Sequence, residues 1–279
     1  MSRGLDRDSG SLRDRELRRR PLLRERELRQ QVERLPQQRE LYRDRDRHYE
    51  LRRSEVAALR ELATFRVIPG KDMQAFQYGN DRNRMQQDFR NLAEQKLIKS
   101  QIVYPRRGRE NRPVQVFSIT RDAARLLDRV VPMDRPYAHV VKQRELLHDA
   151  GVYRMYQAKL GDILGQGGRD PRPVLDHDLK RSINARLAQI GRKDSRQKEE
   201  IAEAYGLPIM NHRMVLPDLR IEYEDRYGDP RSIDLELVTQ HYRARHIAQK
   251  SQAGFTLYSA DGGKAHSRHP EILYEVFSL

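Results

Sequence analysis

The chain has 279 residues, of which 34% are charged and 37% hydrophobic, and its formal net charge is +14. This length suits two modest domains, and the basic balance favours a polyanionic partner such as nucleic acid or an anionic membrane surface. The sequence lacks a membrane-spanning apolar run, a secretory signal and cysteine, which excludes disulfides and thiolate metal sites and predicts a cytoplasmic protein.

Residues 1–51 form a charged arm in which arginine alternates with aspartate and glutamate. Up to Arg52 the chain holds 16 arginines, no lysine and 11 acidic residues, with few apolar side chains between them. This composition is typical of a segment outside any core, so we predict an arm that is flexible or helical. Arginine binds phosphate well, which would suit an arm that follows a DNA backbone, but the interspersed acids oppose that use.

Residues 52–131 have the pattern of three helices, a strand, a basic turn and a second strand. The first helix would be capped by Ser54 and has apolar residues at helical spacing, namely Val56, Leu59, Leu62 and Ala63. The third helix, DRNRMQQDFRNLAEQKLI, has an apolar stripe that consists of Met85, Phe89, Leu92 and Ala93. Its opposite face is polar, with Arg82, Asn83, Gln86, Gln87 and Arg90. Arginine, asparagine and glutamine are the side chains that read base edges in a major groove.

The turn RRGRENR separates the two strands and carries four arginines: Arg106, Arg107, Arg109 and Arg112. Such a turn suits contact with phosphates or with a minor groove. Residues 53–131 hold 16 basic and 9 acidic side chains, which favours double-stranded DNA as the partner.

The stretch DFRNLAEQKLIKSQIVYPRRGRENRPVQVFSITRDAARLL resembles the third helix and wing of bacterial winged-helix proteins, including the S-I-T-x-x-A entry to a further helix. The resemblance implies a winged helix-turn-helix DNA-binding domain over residues 52–131. Members of this class are often dimers, so a homodimer is compatible with it. Protein–protein contact is the alternative use of the same domain.

Residues 132–173 are predicted to form a helical connector that ends in GQGGRDPRP, a glycine- and proline-rich linker or loop. Residues 174–279 are predicted to form an α/β domain, because helical patterns flank two strand-like runs, MVLPDLRIEY and SIDLELVT. The turn EDRYGDPR joins these runs, and a helix, a strand and a last strand or helix follow. The whole chain is therefore expected to be an α+β protein.

Carboxylates lie within this hairpin, at Asp218, Asp234 and Glu236. Because residues i and i+2 of a strand share a face, Asp234 and Glu236 point the same way, and pairing across the turn brings Asp218 near them. Three carboxylates at a sheet edge can hold Mg²⁺ or Mn²⁺, which could activate water for phosphodiester hydrolysis. The alternative is a charged strand edge that faces solvent.

The hairpin resembles the PD-(D/E)xK nuclease fold, with Pro217 and Asp218 as the "PD" and Asp234 or Glu236 as the second acid. The lysine expected two residues after Glu236 is replaced by Val238. The resemblance implies that Lys250, on the following helix, takes its place, as a migrated lysine does in some members. The implied catalytic residues are Asp218, Asp234, Glu236 and Lys250.

Residues 53–258 also resemble the replication-relaxation family of plasmid and conjugative-element proteins, which couple a winged helix to a region with a "PD". The matching stretches are LDHDL with His177, LPD at 216–218, and LELVT with Glu236 and Thr239. The resemblance implies a DNA-binding protein that acts in replication, DNA relaxation or mobilisation and has replication or mobilisation proteins as partners. A winged-helix transcriptional regulator, or an adaptor that has lost catalysis, is the alternative.

Overall fold

The computed structural model describes residues 38–104, 113–130, 136–138, 143–190, 195–239, 242–259 and 276–278. These residues form a mixed α+β protein, as the sequence predicts. The chain divides into two compact units, with the boundary between Leu146 and Leu147. The second unit therefore begins well before residue 174, where the sequence analysis placed it.

The end of the predicted arm is a β-hairpin and not a helix or an unstructured segment. Strands β1 (Glu40–Asp44) and β2 (Arg47–Leu51) pair antiparallel, and Tyr49 and Leu51 are buried. Buried Asp44 forms ion pairs of 3.4 Å with Arg125 and 3.3 Å with Arg129. The sequence did not predict this hairpin because its residues are highly charged. Part of that charge forms ion pairs within the folded unit.

The rest of the first unit has the predicted order of helices and strands, with one short strand added. The elements are α1 (Arg53–Phe65), β3 (Ile68–Pro69), α2 (Gly70–Gln77), α3 (Arg82–Glu94), β4 (Ile98–Val103), β5 (Val114–Ile119) and α4 (Arg121–Val130). The strands form an antiparallel sheet in the order β3-β5-β4.

A buried aspartate on α3 organises the helices of the first unit. The fully buried Asp88 accepts hydrogen bonds from Ser54 Oγ at 2.6 Å, Arg52 Nη1 at 3.0 Å and Tyr78 OH at 3.2 Å. Ser54 is therefore a buried hydrogen-bond donor within α1 and not its N-cap, as the sequence analysis had it. The N-cap is Arg52, whose backbone N–H donates to Glu55 at 2.7 Å.

The second unit is built on a five-stranded sheet with the order β12-β11-β10-β9-β6. Its strands are β6 (Arg169–Leu175), β9 (Leu219–Glu224), β10 (Pro230–Val238), β11 (Thr256–Ser259) and β12 (Val276–Ser278). β6, β9 and β10 pair antiparallel, whereas β10, β11 and β12 pair parallel. The helices are α5 (Gln143–Gly165), α6 (Asp176–Ile190), α7 (Ser195–Ala204) and α8 (Ala244–Gln252), and a small hairpin consists of β7 (Ile209–Met210) and β8 (Arg213–Met214).

The glycine- and proline-rich segment predicted as a loop contributes β6 instead. β6 pairs only with β9 among the described strands, and the register shifts between Arg169 and Arg172. An edge strand tolerates prolines because one side of its backbone needs no ladder partner, and a bulge absorbs an irregular residue. Asp170, at φ 48°, lies within this irregular stretch.

Strand β10 is buried on both faces at its C-terminal end. Leu235 and Leu237 on one face and Glu236 and Val238 on the other are all at most 1% exposed. The alternative of a solvent-facing charged edge is therefore wrong for Glu236. A carboxylate buried to this extent requires hydrogen-bond or ionic partners, since its desolvation is otherwise unfavourable.

Candidate functional site

Helix α3 presents the polar face that the sequence predicted. Five side chains of this helix are exposed along one side: Arg82, Asn83, Gln86, Gln87 and Arg90. On the other side Phe89 and Leu92 are buried. The Phe89 ring packs edge-to-face against the Phe117 ring, with 4.7 Å between the ring centroids. Ala93, predicted to belong to the apolar stripe, is exposed. The helix is thus held by its apolar side while its cationic and amide side chains stay available for a ligand.

The predicted basic turn connects strands β4 and β5 in the sequence. Val103 at the end of β4 pairs with Val114 at the start of β5, so residues 104–113 connect adjacent strand ends. Arg106, Arg107, Arg109 and Arg112 lie outside the described residues. Their role in binding phosphate stays a prediction.

In the second unit, the Asp218 and Glu236 carboxylates each accept a hydrogen bond from a backbone N–H across the point where β9 begins beside β10. The Asp218 backbone N–H donates to Glu236 Oε2 at 3.2 Å, and the Leu237 N–H donates to Asp218 Oδ2 at 2.9 Å. Each acid therefore binds the backbone of the other strand. Of the three predicted acids, the structure brings these two together.

Lys250 joins the pair from helix α8. Its Nζ lies 2.8 Å from Glu236 Oε1 and donates to the carbonyl oxygen of Leu216 at 2.7 Å. Ile247, one turn earlier, is buried and fixes the face that α8 turns towards the sheet. The structure thus brings the lysine of the helix to the acid of the strand, as the sequence analysis required.

Glu236 is held in a strongly perturbed environment. Burial raises the pKa of its carboxyl group, the negative charge of Asp218 adds to this, and Lys250 and Tyr242 oppose it. The Tyr242 hydroxyl donates to Glu236 Oε1 at 2.6 Å, and burial together with the neighbouring carboxylates raises the pKa of Tyr242. Tyr242 is therefore a neutral hydrogen-bond donor to the carboxylate at neutral pH.

Asp234, the third predicted acid, has a different partner. Its carboxylate receives two hydrogen bonds from Arg220, Nε to Oδ1 at 2.7 Å and Nη2 to Oδ2 at 2.8 Å. Arg220 also donates to the carbonyl oxygens of Tyr205 and Gly206, just after the end of α7. Asp234 and Arg220 are opposite each other in the β9–β10 register, so this pair ties the hairpin to α7.

His148 on α5 is a further residue at this site, and the sequence pattern does not predict it. Its Nε2 is 3.4 Å from Asp218 Oδ2 and its Nδ1 is 3.6 Å from Asp149 Oδ1. Burial lowers the pKa of His148, but the hydrogen bonds to Asp149 and Asp218 outweigh this and raise it to about 10. The ring is therefore a cation at neutral pH.

A glycine brings His148 to the sheet. A Cβ atom at Gly151 would lie 2.5 Å from Leu237 Cδ2, so only glycine permits this approach of α5 to β10. His148 is three residues earlier and thus on the same side of the helix. No local sequence pattern selects His148, because its position beside the sheet depends on the packing of α5 at Gly151.

The donor set at this edge fits a divalent cation held by two carboxylates. Among the residues that the structure describes, no group of three histidine and acidic side chains has the arrangement of a metal site. Asp234 is bound to Arg220, which leaves Asp218 and Glu236. Mg²⁺ commonly uses one or two carboxylates and completes its shell with water and substrate phosphate, so two hard oxygen donors fit Mg²⁺ or Mn²⁺.

Neither a protein-family model, nor a curated protein, nor a solved structure matches the chain. Any functional assignment consequently rests on the geometry of the α3 face and of the Asp218–Glu236 pair. Within the described part of the chain, no helix has the length and apolar character needed to cross a membrane.

Proposed function

We propose that the protein binds double-stranded DNA through the exposed face of α3 and belongs to the replication machinery of a plasmid or other mobile element. The observation that carries this proposal is the exposure of Arg82, Asn83, Gln86, Gln87 and Arg90 on one side of a helix whose other side is buried. A three-helix unit with a small antiparallel sheet and a basic turn between β4 and β5 supports a winged helix. The net charge of +14 is consistent with a nucleic-acid ligand.

The second unit is proposed to be a nuclease-like domain of the PD-(D/E)xK type. Asp218 immediately before β9, Glu236 within β10 and Lys250 on the following helix occupy the order in which that fold places its acids and its lysine. The 2.8 Å contact between Lys250 and Glu236 supports the migrated lysine. In this proposal the activity is nicking or cleavage of DNA in replication, relaxation or mobilisation.

In such a reaction, Asp218 and Glu236 would hold Mg²⁺ or Mn²⁺. The bound ion lowers the pKa of a coordinated water and neutralises charge that develops on the phosphate. Lys250 opposes the rise in the pKa of Glu236 that burial causes and brings a positive charge to the pair. Asp234 has no part in this site and serves to hold the hairpin to α7.

The charges at the site are consistent with a phosphodiester ligand. Two acids, Asp218 and Glu236, face two bases, Lys250 and His148, so these four residues are close to neutral together. A divalent cation would make the edge positive. The monoanionic phosphodiester of a DNA backbone would offset part of that excess, which favours DNA over an uncharged ligand.

A non-catalytic DNA-binding adaptor or regulator is the second candidate. One observation favours it: both oxygens of Glu236 already accept hydrogen bonds, from Tyr242 and Lys250 at Oε1 and from the Asp218 amide at Oε2. A carboxylate satisfied in this way is also what a purely structural role would need. In this candidate function the first unit still binds DNA.

Two measurements separate these proposals. DNA affinity is compared between the natural chain, Arg90→Ala on α3 and the control Arg60→Ala, an exposed arginine of α1. We expect Arg90→Ala to lose about tenfold in affinity, because a base or phosphate contact is worth about 1–3 kcal/mol. Equal affinities for both variants would mean that α3 does not face the DNA.

For cleavage, supercoiled plasmid is incubated with Mg²⁺ or Mn²⁺ and either the natural chain or Asp218→Asn/Glu236→Gln. Each amide keeps one oxygen acceptor for the backbone bond while the metal ligands are weakened, and circular dichroism of the double variant checks that the fold is retained. Loss of nicking in the double variant supports the nuclease. Absence of nicking in the natural chain, with DNA binding intact, supports the adaptor.

A further inference from the structure

The turn between β9 and β10 holds an exposed tyrosine on a well-ordered backbone. Asp225 Oδ1 accepts the N–H of Tyr227 at 2.8 Å and the N–H of Asp229 at 3.1 Å. The Asp225 N–H donates to the Asp229 carbonyl oxygen at 2.9 Å, and Gly228 supplies the left-handed residue of the turn at φ 86°. These bonds fix the backbone at Tyr227, which is 74% exposed, so a ligand of this side chain would not have to order the loop.

A cation covers one face of the Tyr227 ring. Arg226 Cζ lies 4.6 Å from the ring centroid, a distance at which a guanidinium and an aromatic face attract each other. Among the described residues, no other ring contacts Tyr227, and no acceptor binds or pairs with the exposed Arg226 guanidinium. The second face of the ring and the N–H groups of Arg226 are therefore available to a ligand from solution.

The neighbours of Tyr227 determine which class of ligand fits this turn. They are charged, and Arg231 pairs with Asp225 at 3.0 Å. The turn thus lacks the apolar surround found at the centre of a protein–protein interface, where charged residues are depleted. A nucleobase needs one flat face on which to stack, and its phosphate can accept hydrogen bonds from a guanidinium. Because a duplex stacks both faces of each base on its neighbours, the fitting ligand is an unpaired base.

We propose that Tyr227 stacks on an unpaired base of single-stranded DNA and that Arg226 binds the phosphate beside that base. The inference rests on the proposed function, because it takes DNA as the ligand and because nicking or relaxation exposes unpaired strand. It gives the second unit a contact with a separated strand, which is a different ligand from the duplex bound by α3.

A fluorescent reporter tests the stacking directly. The chain contains no tryptophan, so Tyr227→Trp places a single indole at the turn of the full-length protein. We expect a short oligothymidine to quench this fluorescence by stacking, and an abasic strand of equal length to leave it unchanged. Leu41→Trp is the matched control, since Leu41 on β1 is 67% exposed, and its fluorescence should not respond to either strand.

Affinity for labelled oligothymidine, measured by anisotropy over a range of KCl concentrations, tests both side chains. Tyr227→Ala should lose about tenfold in affinity, whereas Tyr227→Phe, which keeps the ring, should retain the natural value. Arg226→Gln should reduce the slope of log K against log salt concentration by about 0.7 unit, the contribution of one phosphate contact on a single strand. Circular dichroism checks that each variant is folded.

The outcomes distinguish the inference from the function on which it rests. Equal quenching of the two reporters, quenching by the abasic strand or full affinity of Tyr227→Ala would overturn the stacking, and an unchanged slope for Arg226→Gln would overturn the phosphate contact. If the stacking fails while Arg90→Ala still weakens duplex binding, the proposed function stands and the turn is left to a protein partner. If the natural chain binds neither duplex nor single strand, both proposals fail.

Discussion

Lys250 Nζ lies 2.8 Å from Glu236 Oε1, although the lysine is on helix α8 and the glutamate is at the centre of the sheet. The contact places a positive charge against a carboxylate that is 1% exposed. It also opposes the rise in the pKa of Glu236 that burial causes. The stability of this unit and the chemistry of its acidic pair are therefore linked through one side chain.

Lys250→Met is expected to lower the free energy of unfolding by about 2 kcal/mol at pH 7, because it leaves the buried Glu236 without its cation. The loss stays below that of a fully enclosed pair, since Lys250 retains 21% exposure. Urea denaturation measures it. The control is Lys180→Met, whose pair with Asp176 is more exposed and is worth less than about 1 kcal/mol. Equal losses for the two variants would contradict the buried role of Lys250.

Glu61 on α1 predicts a pH dependence of stability. Burial raises the pKa of its carboxyl group from 4.5 to about 7. The folded chain thus binds this proton more tightly than the unfolded chain, so stability is greatest below pH 4.5 and falls as the pH rises towards 7. Glu61→Gln removes this contribution and should raise the free energy of unfolding at pH 8 by about 1–3 kcal/mol, with little change at pH 4.5.

Urea denaturation at both pH values checks this expectation. The exposed Glu94 of α3 provides the control, because Glu94→Gln should leave the difference between the two pH values unchanged. An equal gain for Glu61→Gln at pH 4.5 and pH 8 would show that its effect comes from packing and not from ionisation.

Asp88→Asn should destabilise the first unit by about 2–4 kcal/mol. The natural carboxylate accepts from Arg52, Ser54 and Tyr78 in a fully buried site, whereas an amide nitrogen would face donors there. Asp128→Asn, at an exposed position of α4, should change stability by less than about 0.5 kcal/mol. Chemical denaturation followed by circular dichroism measures both, and a fully stable Asp88→Asn would refute the network.

Gly151→Ala should cost about 1–3 kcal/mol, although alanine favours helices. Its Cβ would lie 2.5 Å from Leu237 Cδ2, and Leu237 is fully buried and has little room to move. Gly165→Ala in the same helix meets nothing within 4 Å and should be neutral or stabilising by up to about 1 kcal/mol. Thermal unfolding compares the two variants. The melting temperature should fall for Gly151→Ala and should stay unchanged or rise for Gly165→Ala.

The parts of the fold that could be predicted are those in which local pattern and tertiary role agree. Strands β9 and β10 alternate around a turn rich in glycine, aspartate and proline, and both are present. The β1–β2 hairpin was missed, because its buried residues, Tyr49 and Leu51, are few among charged neighbours whose partners lie far away in the sequence. Strand β6 was missed because prolines indicate a loop unless the strand is known to be at an edge.

The candidate site was predictable to the extent that it follows strand geometry. The side-chain period of two placed Asp234 and Glu236 on one face, but it could not show that Arg220 is opposite Asp234 and binds it. The presence of His148 at the site could not be predicted, because it depends on the close approach of α5 to β10 at Gly151. That approach is a property of three-dimensional packing. Lys250 was found from the resemblance, since no local period connects a helix with a strand.

The hydrogen bonds that the Asp218 and Glu236 carboxylates accept from the backbone have an evolutionary consequence. Each carboxylate accepts a backbone N–H at the point where β9 begins, so both side chains contribute to the structure of the sheet. Both acids would therefore be selected as determinants of folding whether or not the protein cleaves DNA. Retention of both acids among related chains would therefore not by itself distinguish a nuclease from a non-catalytic protein.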